Sequence, residues 1–529
     1  MKTTACPMDC FDACEIIYNE GTCKPSKIHP ITQGSLCKPF AYLLKEQNIK
    51  DKDINNTLNQ IANKLKQKDQ KILYYKGTGN ISVTQNIPKI FFEKIKATIA
   101  KGSICETAGV AGIEYGRKYS VNPDIEELLS SDIIVAWGRN LSVTSKHIYK
   151  LIKDKKFITI DPYETYIAKK SEEFIQIPPK GDYQLIKELS KALNNEILDE
   201  DMLKSLNTTK EQIYNIISLL KNKKVSFLVG LGAQKYKEGA QIIHALDTFA
   251  NNFGVFTNKN IGMWYLGDSK YMYDDKTAVT LTNTISYPSV DFSCFDIVFI
   301  QGANPAVSAP NTSRVIEGLK KAFVIYFGTT QNETSKYANI ILPAKTFLQK
   351  KDVRVSYGHD EVIFSEVCEE NRQAVSEYEF TKYMFDTLNL DGLSPLQEYL
   401  ELFKTKKRQK PDIVFKPHKI KDIPLLKLEE NEYYLLTSKY VNTINSQFKY
   451  DNSVYVNPKN GFKNNQEISI SSKYAEIKAR VKNDENVHIN SLLFYAGHKN
   501  VNYLTPHIPS DMGNNAIFQD IVLRVKNVK

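Results

Sequence analysis

Two stretches of this chain, far apart in sequence, are written to one plan. The first runs SDIIVAWGRN, TSKHIYKLIKDKK and KFITIDP; the second runs FDIVFIQGANPAVS, NTSRVIEGLKKA and FVIYFGTTQNETS. Each is a short apolar run ending in a glycine loop, then a segment of helical periodicity, then another apolar run. Parallel neighbours in a sheet need a crossover of this kind, so the grammar predicts parallel sheets with their loops gathered at the carboxyl ends of the strands. Gly138-Arg139-Asn140 and Gly302-Ala303-Asn304 hold corresponding positions, and KKVSFLVGLGAQ, with Gly230 and Gly232, reads as a third strand–loop unit. The expected class is multidomain α/β, with doubly wound parallel-sheet domains in two pseudo-symmetric halves.

Matching loops predict two similar ligands or one pseudo-symmetric ligand. Glycine lets the backbone approach a phosphate, and the helix start beyond it offers free N–H groups to an anion. Asp161 ends a strand, where its carboxylate could accept bonds from a ribose or from the amino group of guanine, and Asp182 in PPKGD could do the same. Neither loop is a GxGxxG fingerprint, so an NAD site is not supported. Taken singly, each loop is equally compatible with a bare turn in a doubly wound domain.

The N-terminus carries separate chemistry. ACPMDCFDAC places Cys6, Cys10 and Cys14 four apart, and HPITQGSLC adds Cys37. Three closely spaced thiolates plus a distant fourth suit an iron–sulfur cube. A four-thiolate zinc site is the alternative, although the pair-and-pair spacing usual for zinc is absent. Cys23 reads as a bystander, and Cys294 and Cys368 as core residues. In GSICETAGVAGIEYGRKYS, Cys105 follows an expected strand and precedes a small-residue turn. A thiol there could ligate or attack, and a nearby helix N-terminus would favour its thiolate. The competing reading is a buried core cysteine.

Composition narrows the class. With 529 residues, 42% of them hydrophobic and 25% charged, the chain can bury a large core spread over several domains. The formal charge of +10 is dispersed over lysines without a block, and basic and aromatic residues do not interleave into a stacking groove. No nucleic-acid partner is therefore expected. No apolar run is long enough to span a bilayer, and the motif starting at Cys6 leaves no room for a cleavable signal peptide. The expectation is a cytoplasmic protein without direct membrane insertion.

In order along the chain, CPMDC with HPITQGSLC, CETAGVAG, IIVAWGRN, TIDPYET, IPPKGD, QGANP, NETSKYANIILPAKTFLQKKD and FYAGHKNVNYLTPHIPSDMGNNAIFQDIVLRV resemble the molybdopterin-dependent oxidoreductases of the dimethyl sulfoxide reductase superfamily. That group includes formate dehydrogenases, nitrate reductases and thiosulfate or polysulfide reductases. The resemblance implies a [4Fe–4S] cluster on Cys6, Cys10, Cys14 and Cys37, and molybdenum or tungsten on Cys105. It places Gly138, Arg139, Asn140, Asp161, Gly181, Asp182, Gly230, Gly232, Gly302 and Asn304 around a bis(molybdopterin guanine dinucleotide), with Asn502 and Gln519 reaching it from a C-terminal β-barrel.

It further implies two-electron redox of a small-molecule substrate, with electrons leaving through the cluster to an iron–sulfur or quinone-linked electron-transfer subunit. Glu106 and His359 are the candidates for moving protons, with a surface or satisfied structural histidine as the competing reading for His359. Two departures stand out. The family's cation after the fourth cluster cysteine is matched only by Lys38, immediately after Cys37, and Glu106 replaces the histidine of formate dehydrogenases.

The implied domains are 1–50 for the cluster, 51–125 with 331–400 and then 126–330 for the pterin dinucleotides, a connector at 401–430, and a barrel at 431–529. A non-catalytic iron–sulfur electron-transfer subunit on the same scaffold is the alternative, and a non-redox hydratase is a third reading. Retention of Cys105, the paired glycine loops and NYLTP…FQD favours the enzyme.

Overall fold

The fold was obtained as a computed structural model, which describes residues 1–257, 260–265, 279–405, 412–448 and 450–527. Two parallel sheets dominate it. One has five strands in the order Met263–Tyr265, Val225–Val229, Ile133–Trp137, Lys156–Ile160, Glu173–Ile175. The other has six, in the order Thr284–Ser286, Thr98–Lys101, Ile72–Lys76, Ile297–Gln301, Phe323–Gly328, Ile340–Pro343. Every pairing within them is parallel. Their central strands, IIVAW and IVFIQ, are buried along their whole length. Unbroken apolar runs of this kind belong to strands covered on both faces.

The two halves exist, but their boundary does not fall at 330. Ile297–Gln301 pairs with Ile72–Lys76, so residues 284–330 join the sheet built from 51–125. A parallel strand does not encode its neighbour locally; the pairing is decided by which helices cover the two faces.

The N-terminus forms a three-stranded antiparallel sheet, Lys2–Ala5, Glu15–Asn19 and Thr22–Pro25. A hairpin, Asp352–Val355 with Val362–Ser365, braces it. The braces are the Glu366 N–H donating to the Thr3 carbonyl at 2.8 Å and the Ser356 hydroxyl donating to the Phe11 carbonyl at 2.7 Å. The helix Ile54–Leu65 is capped by the Asp53 side chain.

At the other end, six strands from Glu432–Ser438 to Val522–Asn527 close into a barrel. Alternation in EIKARVKN puts every second side chain inside. The expected connector begins inside the helix Leu396–Thr405, and its residues 406–411 lie outside the described residues. From 412 it is strapped to the five-stranded half. Phe415 stacks on Phe256 at 5.1 Å, and the Lys416 N–H donates to the Gly116 carbonyl at 2.8 Å. Among the described residues, no helix is long and apolar enough to cross a membrane.

Candidate functional site

The carboxyl ends of both sheets open into one cavity of about 1350 Å³, which the barrel also lines. Its walls repeat the same backbone device twice. In the five-stranded half, the Gly138 N–H donates to Ile160 O at 2.8 Å and the Gly230 N–H to Trp137 O at 2.8 Å. In the six-stranded half, the Gly302 N–H donates to Phe327 O at 2.9 Å and the Gly77 N–H to Gln301 O at 2.8 Å. Gly138 and Gly302 adopt left-handed backbone, φ 57° and 55°. A Cβ on Gly230 would stand 1.8 Å from Gly138 O, and one on Gly77 would stand 2.4 Å from Gly302 O. Glycine is obligatory at both crossings. Gly77-Thr78-Gly79 is thus the counterpart of Gly230-Leu231-Gly232. The sequence reading missed it because GTG carries no fingerprint of its own.

The side chains on the two cradles differ. In the five-stranded half, Asp161 accepts the Tyr163 N–H at 2.9 Å and Asp182 accepts Trp137 Nε1 at 2.7 Å. Burial pushes Asp161 up to about 7, helped by the facing Asp182, and pushes Asp182 up to about 6. Asn140 opens a short helix, and its Oδ1 accepts the Ser142 hydroxyl at 2.6 Å. In the six-stranded half, Asn304 donates to Glu333 at 2.9 Å and accepts the Thr334 N–H at 3.1 Å. Asn502 donates to Val307 O at 2.6 Å. The Gln519 N–H donates to Lys235 O at 3.1 Å, while its buried Oε1 has no protein partner. Asp161, Asp182, Asn140, Asn304, Asn502 and Gln519, together with Gly232, line the cavity.

Cys105 also lines it, on the loop between the strand Thr98–Lys101 and the helix Thr107–Arg117. Its N–H donates to Ser103 Oγ at 2.9 Å, and Glu106 takes the N-cap position without a capping bond from its side chain. Burial pushes the Cys105 thiol up; Lys439 and Lys235 pull it down, and Asp9 and Glu106 oppose them. Burial in turn pushes the Lys235 ammonium down to about 8. Sequence reasoning missed Lys235, Lys439 and Asp9, because they come from three different domains and share no motif.

The N-terminal cysteines belong to a loop that meets the cavity floor at Asp9. Cys6 and Cys14 are buried with Cys37 packed against them, and the Cys6 N–H donates to Cys14 O at 2.9 Å. Burial pushes the Cys6 thiol up to about 12, helped by Cys37, and burial with Cys6, Cys10 and Cys37 pushes Cys14 up as well. Asp12 clamps the loop by accepting the His147 N–H at 3.0 Å and His147 Nδ1 at 2.9 Å. Among the described residues, no group of three or more His, Cys, Asp or Glu is arranged to hold a single metal ion. Cys23 is half-buried beside this set, and Cys294 is exposed rather than in the core, with Cys368 half-buried.

Arg139 joins floor to cavity, its guanidinium 4.9 Å from the Phe11 ring centroid and its Nη1 donating to Val229 O at 3.3 Å. Arg354 reaches the cysteine loop directly, donating to Met8 O at 3.2 Å and Cys10 O at 3.1 Å.

Three expected site residues lie elsewhere. His359 is buried outside the cavity, where Nε2 bonds Asp12 O at 2.8 Å and Nδ1 accepts the Glu361 N–H at 3.2 Å. Burial pushes it down to about 4, and its two ring bonds make it a brace for the cysteine loop. Lys38 is exposed on the first turn of the helix Lys38–Leu43 and lines no part of the cavity. Gly181 precedes the helix Asp182–Leu193 and packs on Pro178, so it aims Asp182 without touching the cavity itself.

Comparison with known proteins agrees with this geometry. The family model described as molybdopterin oxidoreductase matches residues 51–380. The Bacillus subtilis (strain 168) protein named "Probable oxidoreductase YyaE" is 24% identical over 429 residues, 67% of this chain and 64% of that one. The F420-dependent formate dehydrogenase subunit alpha of Methanocaldococcus jannaschii is 23% identical over 411 residues, 62% and 60% of the two chains. The alignments thus span less than two thirds of the length of either relative. Acetylene hydratase from Pelobacter acetylenicus superposes with a TM-score of 0.79 over 100% of both chains at 12% identity, a likeness of fold. With the family model matched over more than half of its length, the chain belongs to the molybdopterin oxidoreductase family.

Proposed function

We propose that this protein is a molybdenum- or tungsten-dependent oxidoreductase that carries out two-electron redox of a small substrate. In this reading the cavity takes a bis(molybdopterin guanine dinucleotide), and Cys6, Cys10, Cys14 and Cys37 take a [4Fe–4S] cluster that passes electrons to a separate electron-transfer subunit. The observation that carries the reading is one cavity bringing together Cys105 and two matched glycine cradles, one from each parallel sheet.

The residues present fit these groups. The cradles bring backbone to the cavity wall through loop crossings that only glycine allows, and Gln519 Oε1 is a buried acceptor still wanting a donor. Four soft thiolates, with Cys6 and Cys14 buried and Cys37 packed against them, have the chemistry an iron–sulfur centre would need. The bound metal–pterin group would supply reversible two-electron chemistry. Cys105 would hold the metal. Lys439 and Lys235 pull toward the thiolate this requires, against the burial that raises the thiol overall. Asp161 and Asp182 would take N–H or O–H donors of a nucleotide end, and Arg139 and Arg354 would add positive charge beside it. Glu106, on the cavity wall next to Cys105, is the group placed to hold or release a proton.

Elemental mass spectrometry on anaerobically purified protein tests this directly. About one molybdenum or tungsten and about four irons per chain are expected. Iron without either heavy metal, from cells able to make the cofactor, would instead support the non-catalytic electron-transfer subunit.

A further inference from the structure

Arg354 is only 3% exposed, and among the described residues no carboxylate bonds it. Its Nη atoms donate to three carbonyls, those of Met8 and Cys10 in the cysteine loop and that of Val355, while Nε has no partner. The same side chain lines the cavity. A buried charge left without a counter-ion costs several kcal/mol, so a structure that keeps one has an anion for it to face. Two such anions would border Arg354, a thiolate-bound centre beneath the loop and the occupant of the cavity above it. Lys38, the cation that follows Cys37 in sequence, is exposed and lines no part of the cavity. Arg139 lies over the Phe11 ring of the cysteine loop but makes no hydrogen bond to that loop, its Nη atoms being tied to Val229 O and Ser145 Oγ.

We propose that Arg354 is the charge bridge between the cysteine-held centre and an anionic occupant of the cavity, and that its positive charge makes the centre easier to reduce. This rests on the iron–sulfur reading above. Arg354 acts through its neighbours, as a positioning and electrostatic residue. The potential of such a centre is set in large part by local charge and hydrogen bonding, so a missing charge registers there even when turnover is not measured.

The test uses full-length, anaerobically purified, cofactor-loaded protein. The cluster is titrated with dithionite as electron donor and followed by electron paramagnetic resonance, with iron counted in the same samples. Arg354→Gln is expected to keep its iron and to shift the redox equilibrium toward the oxidised form about tenfold, about 59 mV for a one-electron couple. Arg354→Lys, which keeps the charge but not the fork, is expected to stay within about twofold of wild type, about 18 mV. An unshifted Arg354→Gln overturns the proposal, as does an Arg354→Lys shifted equally far. If Arg354→Gln fails to hold iron, Arg354→Lys decides. Iron and potential restored show that charge is what matters; iron lost again makes Arg354 a clamp on the Met8 and Cys10 carbonyls and overturns the bridge. Wild-type protein without iron would defeat the iron–sulfur reading itself, a separate result.

Discussion

The five-stranded and six-stranded halves present the cavity with nearly the same backbone and with opposite side-chain chemistry. Gly138 with Gly230 and Gly302 with Gly77 cross in the same way, with the same left-handed turn after the central strand. The five-stranded half then offers Asp161 and Asp182, which burial pushes above the usual carboxylate range. In the six-stranded half burial also pushes Glu333 up, but bonds from Asn304, from its own backbone and from Lys499 outweigh it and hold the carboxyl below that range. That half also delivers Cys105, at the end of the strand Thr98–Lys101. Backbone placed by parallel pairing is easily repeated, whereas side chains diverge according to what each half must hold. One half is chemically open toward its ligand; the other is internally satisfied and carries the thiol.

The sharpest way to break this asymmetry is Cys105→Ala. Turnover is expected to fall by at least about a thousandfold, as for loss of a metal ligand in a catalytic centre, with iron content unchanged. A Cys105→Ala protein with wild-type turnover would remove the thiol's role and leave the halves functionally alike.

Gly230→Ala and Gly77→Ala probe the shared part. Each new Cβ meets backbone oxygen, which cannot rotate away, so each is expected to cost about 1–3 kcal/mol and to reduce bound cofactor. Thermal melting and cofactor extraction measure both effects. Damage from Gly230→Ala with a silent Gly77→Ala would end the equivalence of the two cradles.

pH dependence probes the part that differs. The Asp161 and Asp182 carboxyls titrate higher when folded than when unfolded, so between about pH 4 and 7 the folded chain binds more protons. Their contribution is present below the unfolded value and lost as pH rises through about 6 to 7. Cofactor-free protein with Asp161→Asn is expected to gain about 1–2 kcal/mol over wild type at pH 8 and little at pH 4, seen in denaturant titrations. Glu333 has the opposite sign, since its contribution is present above the unfolded carboxyl value and lost as pH falls through the lower folded one. Glu333→Gln is therefore expected to destabilise at pH 7, and a stabilising result there would erase the contrast.

The smallest effect is expected from Lys38→Ala. With Lys38 exposed and off the cavity, iron content should not change and stability should stay within about 0.5 kcal/mol, as checked by metal analysis and melting.

Much of the site was legible because its signals are local. A glycine after an apolar run, or cysteines four apart, state their geometry within a few residues, and Gly138, Gly302 and Cys105 duly line the cavity. His359 illustrates the limit. Its sequence context, SYGHDE, leaves a pocket-facing, a surface and a satisfied structural histidine open, and only the cysteine loop, which takes its Nε2 bond through Asp12 O, decides for the last. The cations Lys235, Lys439 and Arg354 were invisible for a related reason, since each gains its meaning from a partner on a distant segment.

By itself, the sequence determined the kinds of element, the two-fold grammar, the cysteine set and the closed barrel, because side-chain periodicity and turn chemistry act between near neighbours. Only the tertiary structure decided that residues 284–330 join the strand Ile72–Lys76, and that Arg354 rather than Lys38 stands between the cysteine loop and the cavity. Strand order and the placement of a buried charge are set by burial and pairing across hundreds of residues, where no local pattern reaches.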